Sequence, residues 1–121
     1  MVRLRRDWKD QEFYSTIQLS KTELARALGV AKSTLLIWER TCFYSIETFR
    51  NSYLKKQDGS YDLTAPYNPY QCWVLARFGR IVSVSKTLER AKTYVKTNQH
   101  IFSVSVFRKN LKELETSKNE S

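Results

Sequence analysis

Five residues between positions 32 and 40 have the spacing of one helix face and side chains that suit contact with nucleic acid. Ser33, Leu36, Ile37 and Arg40 stand at i, i+3, i+4 and i+7, and Lys32 begins the same segment. A helix brings residues at these intervals onto one side. Arginine and serine bond to base edges, lysine neutralises phosphates and aliphatic side chains contact thymine methyl groups. We therefore predict that this face enters the major groove of double-stranded DNA.

Basic residues elsewhere extend the predicted contact. The formal net charge is +9, from 21 Lys and Arg against 12 Asp and Glu, and a positive surface favours nucleic acid and anionic membranes as partners. Residues 1–18 are interpreted as a basic N-terminal arm on the DNA backbone, and a solvated tail is the alternative. The predicted DNA contacts beyond the helix face are Lys21, Thr34, Lys55, Lys56, Arg5 and Arg6.

Catalytic and metal-binding residues are scarce. Cys42 and Cys72 lie 30 positions apart with His100 as the one histidine, which matches no metal-ligand spacing. We interpret both cysteines as buried thiols of a reducing cytosol. The three glycines are too far apart for a phosphate-binding loop. We expect no enzyme activity, no cofactor and no metal, and the lack of a long apolar run predicts a cytoplasmic, nucleoid-associated protein that does not enter a membrane.

A helix-turn-helix at Leu19–Arg40 would position the predicted reading face. Ser20 and Glu23 have capping-box spacing, so the first helix should begin at Lys21. Gly29 should end it, because glycine readily adopts positive φ. The second helix should run from about Lys32 to Arg40 and pack its opposite face on the first.

This segment resembles the DNA-binding half of MerR-type regulators. The resemblance rests on LARALGV followed by STLLIWER, in which Thr34, Leu35, Trp38, Glu39 and Arg40 match the family's recognition-helix pattern. Leu36 and Ile37 replace the Arg-Tyr pair common there, and Xre-like phage repressors fit the same motif. The stretches PYQCWVLARF and HIFSVSVFRKNL, with no long sensor domain after them, are also similar to repressors of type V-K CRISPR-associated transposons.

Residues 46–64 permit two interpretations. Gln57, Asp58, Gly59 and Ser60 form a turn signal between Tyr-containing segments, which is typical of a β-hairpin wing. The alternative is a helix over Ile46–Lys56.

The C-terminal half is predicted to be helical. Asn68 with Pro69 suits a helix start. The competing interpretation takes the period-two alternation at Ile81–Ser85 and Phe102–Val106 as strands of a ββαβ unit. The expected fold class is mainly α, with a winged helix-turn-helix followed by C-terminal helices, and the alternative would make the chain α+β.

A heptad-like stripe near the C-terminus is the predicted dimer contact, and packing on the chain's own core is the alternative. Its residues are Val104, Phe107, Leu111 and Leu114.

Together these features predict a homodimeric transcriptional regulator that represses by occupying a palindromic operator. The predicted organisation is an arm at 1–18, a DNA-binding domain at 19–65, a dimerisation region at 66–116 and a frayed tail at 117–121. Little chain is left for an effector site, which favours simple occupancy over ligand control. The alternative is an excisionase-like protein that bends DNA along direct repeats.

Overall fold

The computed structural model describes the backbone of residues 13–120 and the side chains of residues 13–113. Helices make up 67% of the structure, and no β-sheet is present within these residues, so the predicted mainly α class is confirmed. The helices of this part of the chain are α1 (Lys21–Leu28), α2 (Lys32–Ser45), α3 (Glu47–Asn51), α4 (Pro69–Ser85), α5 (Leu88–Thr97) and α6 (Val104–Glu120). A 3-10 turn, Gln99–Phe102, joins α5 to α6.

Helix α4 forms the centre of the core. Asn68 and Gln71 make the reciprocal bonds of a capping box, and Pro69 opens the first turn as predicted. Around the middle of the helix nearly every side chain is buried, including Trp73 and Phe78. A helix that is apolar on all sides belongs inside a fold, and α4 accordingly contacts α2, α5 and α6.

The ββαβ alternative for the C-terminal half is wrong. Residues 81–85 form the last turns of α4, and residues 104–106 begin α6. β-Branched residues cost a helix less than 1 kcal/mol each, roughly. The buried run of α4 and the cap at Ser103, whose hydroxyl accepts from the Val106 N–H at 3.1 Å, outweigh that cost.

Neither interpretation of residues 46–64 is borne out in full. The helical one holds over the five residues of α3, Glu47–Asn51. Beyond it the chain makes a tight reversal, with an antiparallel bridge between Lys55 and Tyr61 and Gly59 at φ 89°. The bonds from Lys56 N–H to the Ser60 carbonyl and from Asp62 N–H to the Leu54 carbonyl close it. We call residues 54–62 the hairpin turn.

One hydrophobic core contains residues of both the predicted DNA-binding domain, 19–65, and the predicted dimerisation region, 66–116. It extends from Leu24 and Leu28 of α1 to Phe102 and Phe107 near the C-terminus. Gln99 ties the junction of α2 and α3 to the 3-10 turn, because its amide donates to the Ser45 carbonyl at 2.7 Å and accepts from the Glu47 N–H at 3.3 Å. The C-terminal end of α2 is therefore held by the 3-10 turn. Within the described residues, no helix is long and apolar enough to cross a membrane.

Candidate nucleic-acid interface

Helices α1 and α2 are joined by a turn of three residues. The Ser20 hydroxyl accepts from the Glu23 N–H, and a Glu23 carboxylate oxygen accepts from the Ser20 N–H at 2.8 Å, so the predicted capping box is present. Gly29 ends α1 with φ 69° and ψ 31°, the left-handed conformation expected of it. The Val30 N–H then bonds to the Ala25 carbonyl at 3.0 Å. These local bonds determine the angle at which α2 leaves the turn.

Helix α2 has one buried and one exposed face. Leu35, Trp38 and Cys42 point into the core, with exposed fractions of 7% or less. Thr34 is half-buried at the border between the two faces. The exposed face contains the residues predicted from the spacing, namely Lys32, Ser33, Leu36, Ile37 and Arg40.

The exposed face is apolar in the middle and basic at both ends. Leu36 is 39% exposed and Ile37 50%, while Lys32 and Arg40 flank them. Glu39 is the only acidic residue of α2, and it is buried. The face therefore presents positive charge with no negative charge from its own helix.

Lys21 was predicted to contact DNA, and the structure places it elsewhere. Its ammonium lies 2.8 and 2.9 Å from the two carboxylate oxygens of Glu39. The same nitrogen is 3.3 Å from the Tyr67 hydroxyl and 4.5 Å from the centre of that ring. This side chain is only 22% exposed. We therefore assign Lys21 a structural role and remove it from the candidate interface.

Glu39 is the centre of a buried polar network that sequence reasoning missed. Besides Lys21, it accepts hydrogen bonds from the Tyr53 hydroxyl at 2.6 Å and from the Tyr67 hydroxyl at 2.8 Å. Burial, together with the adjacent Glu39 carboxylate, raises the pKa of both tyrosines well above the usual range. The network ties the start of α1, the middle of α2 and the two ends of the 53–67 segment into one unit.

The sequence does contain one sign that Glu39 is buried, which is its helical spacing from apolar residues. Positions 35, 38, 39 and 42 lie on one side of a helix, and three of them are apolar or cysteine. An acid among them is expected to be buried, and a buried carboxylate needs partners. Its partners stand 14, 18 and 28 positions away, so their identity depends on the tertiary fold.

The hairpin turn is attached to the C-terminal half of α2 by aromatic contacts. The ring of Tyr61 meets Phe43 of α2 edge-on, with centroids 5.4 Å apart and an interplanar angle of 86°. Lys55 lies with its ammonium 5.5 Å from the centre of the Tyr61 ring. Lys55 and Lys56 are both exposed. The ammonium of Lys55 thus lies beside the Tyr61 ring, which itself packs on α2, and Lys56 follows it on the exposed side of the hairpin turn.

Two further predictions concern the ends of the chain. Arg5 and Arg6 lie outside the described residues, as does the side chain of Leu114. Within the C-terminal stripe, Phe107 is 9% exposed and packs on the ring of Trp73, with centroids 5.3 Å apart. Val104 and Leu111 are half-buried against the same core. Phe107 thus belongs to the chain's own core, and a dimer contact through this stripe stays a prediction for its remaining residues.

Both cysteines are buried in the core. Burial, and secondarily the charge of Glu39, raises the pKa of the Cys42 thiol well above its usual range. Burial raises the pKa of the Cys72 thiol to about 12. Such thiols remain protonated and react slowly. Among the described residues, no three His, Cys, Asp or Glu side chains are grouped so that they would hold a metal ion.

Comparison of the chain with models of known families, with curated proteins and with solved structures found no match.

Proposed function

We propose that the chain is a sequence-specific DNA-binding regulator of transcription whose α2 reads base edges in the major groove. The observation that carries the proposal is the division of α2 into a face packed on α1 and α4 and an opposite face left exposed. A recognition helix needs this arrangement, because one side must be anchored while the other enters the groove. The sequence resemblance to MerR-type regulators supports the same role.

The contacts that hold α2 in place support this role. Readout of bases requires side chains to be positioned before binding, since ordering them on the DNA costs affinity. The Glu39 network holds α2 from inside, and Gln99 holds its C-terminal end. The exposed face can therefore meet DNA without a change in the helix that presents it.

The basic residues around α2 have roles on the phosphate backbone. Lys32 lines a groove of about 200 Å³ that lies between the start of α1, the start of α2 and residues 64–66. At the other end of the helix, Lys55 and Lys56 project from the hairpin turn. The hairpin turn acts as the wing of a winged helix-turn-helix in this proposal. Phosphate contacts on both sides of the reading face would fix the register of α2 in the groove.

We extend the proposal to a homodimeric repressor that acts by occupying its operator. Two copies related by a two-fold axis would present two α2 helices to a palindromic site. Occupancy would then block access to a promoter without any chemistry by the protein. The exposed apolar residues Val84, 81% exposed, and Tyr94, 47% exposed, show that helices α4 and α5 also leave apolar surface outside the core.

The test is selection of duplexes from a randomised pool, followed by affinity measurement. The purified chain is incubated with the pool at physiological salt, and the recovered duplex is titrated against it by fluorescence anisotropy. We expect Arg40→Ala to weaken binding of the selected duplex by about 1–3 kcal/mol while binding of random DNA changes little.

Arg90→Ala is the matched control, since it removes an exposed arginine from α5 and leaves α2 intact. We expect it to keep the preference for the selected duplex over random DNA. Equal losses on selected and random DNA for Arg40→Ala would exclude base readout by this residue. Failure to recover any preferred duplex would contradict the proposal as a whole.

A further inference from the structure

The centre of the α2 reading face is made of two adjacent aliphatic side chains. Leu36 is 39% exposed and Ile37 is 50% exposed, although Leu35 on the buried face already anchors the helix. Exposure of branched aliphatic side chains costs about 25 cal/mol for each Å² left in water. Leu36 and Ile37 are not needed to anchor α2, and a ligand that covers them would recover the free energy lost by their exposure.

We propose that Leu36 and Ile37 recognise thymine through its C5-methyl group, an inference that rests on the proposed DNA-binding function. Among the base edges of the major groove, only thymine presents an apolar group. An aliphatic side chain against that methyl group buries apolar surface on both partners. Against adenine, guanine or cytosine it would cover polar groups without replacing their hydrogen bonds to water, which is unfavourable.

The order of residues along α2 assigns the thymine a place within the half-site. Ser33 and Arg40 stand seven residues apart, with the aliphatic pair midway between them. Seven residues of helix span about 10 Å, and three base steps on one strand span about the same length. The face thus contacts a short run of bases with polar contacts at the ends and apolar contact in the middle. We expect thymine at one or both of the two middle positions and a guanine, the usual partner of arginine, beside Arg40.

Charge complementarity favours DNA over a protein as the occupant of this face. Lys32 and Arg40 bracket the aliphatic pair, and Glu39, the one acid of α2, is turned inward and engaged by Lys21. An apolar strip between two positive charges fits a groove whose floor carries methyl groups and whose walls carry phosphates.

The experiment compares thymine with uracil in the selected duplex. Each thymine is replaced in turn by deoxyuridine, which removes the methyl group and keeps the base pair and its hydrogen-bonding groups. A buried methyl group is worth about a four-fold change in affinity, so we expect about four-fold weaker binding for one contacted thymine and about fifteen-fold for two. Substitution at thymines outside the selected motif should leave the affinity unchanged.

A double variant, Leu36→Ala with Ile37→Ala, gives the reciprocal measurement. Both side chains lie on the exposed face of α2, at 39% and 50% exposure, so we expect the variant to fold, and its thermal melting is recorded as a check. We expect it to bind the thymine and uracil duplexes equally. Arg40→Ala should bind more weakly but keep the same thymine-to-uracil ratio, because it leaves the methyl contact in place.

The outcomes separate this inference from the proposed function. A preferred duplex that binds equally well with uracil at every position would overturn thymine recognition and leave DNA binding intact. A preferred motif without thymine would do the same. A third outcome is that no duplex is preferred, and that the wild-type chain self-associates whereas the double variant does not. The face would then bind a second copy of the chain, and both proposals would be wrong.

Discussion

Replacement of Glu39 by glutamine should destabilise the fold strongly, although the two side chains have nearly the same size. The change removes the negative charge that Lys21 contacts at 2.8 and 2.9 Å, and it replaces one of the two oxygens that accept from Tyr53 and Tyr67. Removal of one partner from a buried ion pair costs about 3–5 kcal/mol. Because Lys21 retains 22% exposure and can turn towards water, we expect the lower end of that range, about 3 kcal/mol.

The assay is urea unfolding followed by tryptophan fluorescence, with thermal melting as a second probe. A loss of about 3 kcal/mol should lower the midpoint of thermal unfolding by about 10 °C in a domain of this size. Glu89→Gln is the control, since Glu89 is an exposed acid in the first turn of α5. It should change the free energy of unfolding by about 0.5 kcal/mol or less.

A double-mutant cycle with Lys21→Met isolates the pair itself. In Glu39→Gln the ammonium of Lys21 is left without its partner charge, and Lys21→Met removes that ammonium. The double variant should therefore lose less free energy of unfolding than the two single variants lose together. The reasoning is refuted if Glu39→Gln behaves like the Glu89 control, or if the two single effects simply add.

Three further predictions concern the turn, the tyrosines and the thiols. Gly29→Ala should lower the free energy of unfolding by about 1–2 kcal/mol, because φ is 69° there, and Gly29→Asn should cost less; equal stability of wild type and Gly29→Ala in urea would contradict this. Because the pKa values of Tyr53 and Tyr67 are raised, the folded state keeps two phenolic protons that the unfolded chain releases near pH 10. The contribution of these tyrosines to the free energy of unfolding should therefore be full below pH 10. Above pH 10 the free energy of unfolding should fall by about 1.4 kcal/mol per pH unit for each tyrosine. Tyr53→Phe should remove its share of that slope in urea unfolding followed at several pH values, and an unchanged slope would count against the network. Cys42 and Cys72 should react with an aromatic disulfide reagent at least about 100-fold more slowly in the folded protein than in urea, and rapid labelling of the folded chain would show that they are accessible.

The local structure around the turn could be predicted from the sequence because its causes are local. A capping box and a helix-ending glycine act within a few residues, so Ser20, Glu23 and Gly29 could be interpreted without knowledge of the fold. The same holds for the start of α4 at Asn68 and Pro69. The exposed face of α2 followed from helical spacing alone.

Other features could not be predicted because they depend on contacts between distant segments. Lys21 has the charge of a DNA contact, and only the fold places it against Glu39, 18 positions away. A stripe such as that of α6 has the same spacing whether it packs on a partner or on the chain's own core, and here Phe107 packs on Trp73. The alternation at 81–85 resembles a strand, yet the helix capped by Asn68 continues through it because the buried run of α4 stabilises the helix.

The central claim is that the exposed face of α2, and not the basic charge alone, binds DNA. Footprinting of the chain on the DNA upstream of its own reading frame, at low and at physiological salt, tests it most directly. The account predicts a protected region with fixed boundaries, about two helical turns long for a two-fold dimer, that persists at physiological salt and needs a higher protein concentration to form with Arg40→Ala. Diffuse protection that disappears as salt is raised would contradict it, because the net charge of +9 would then account for all of the binding.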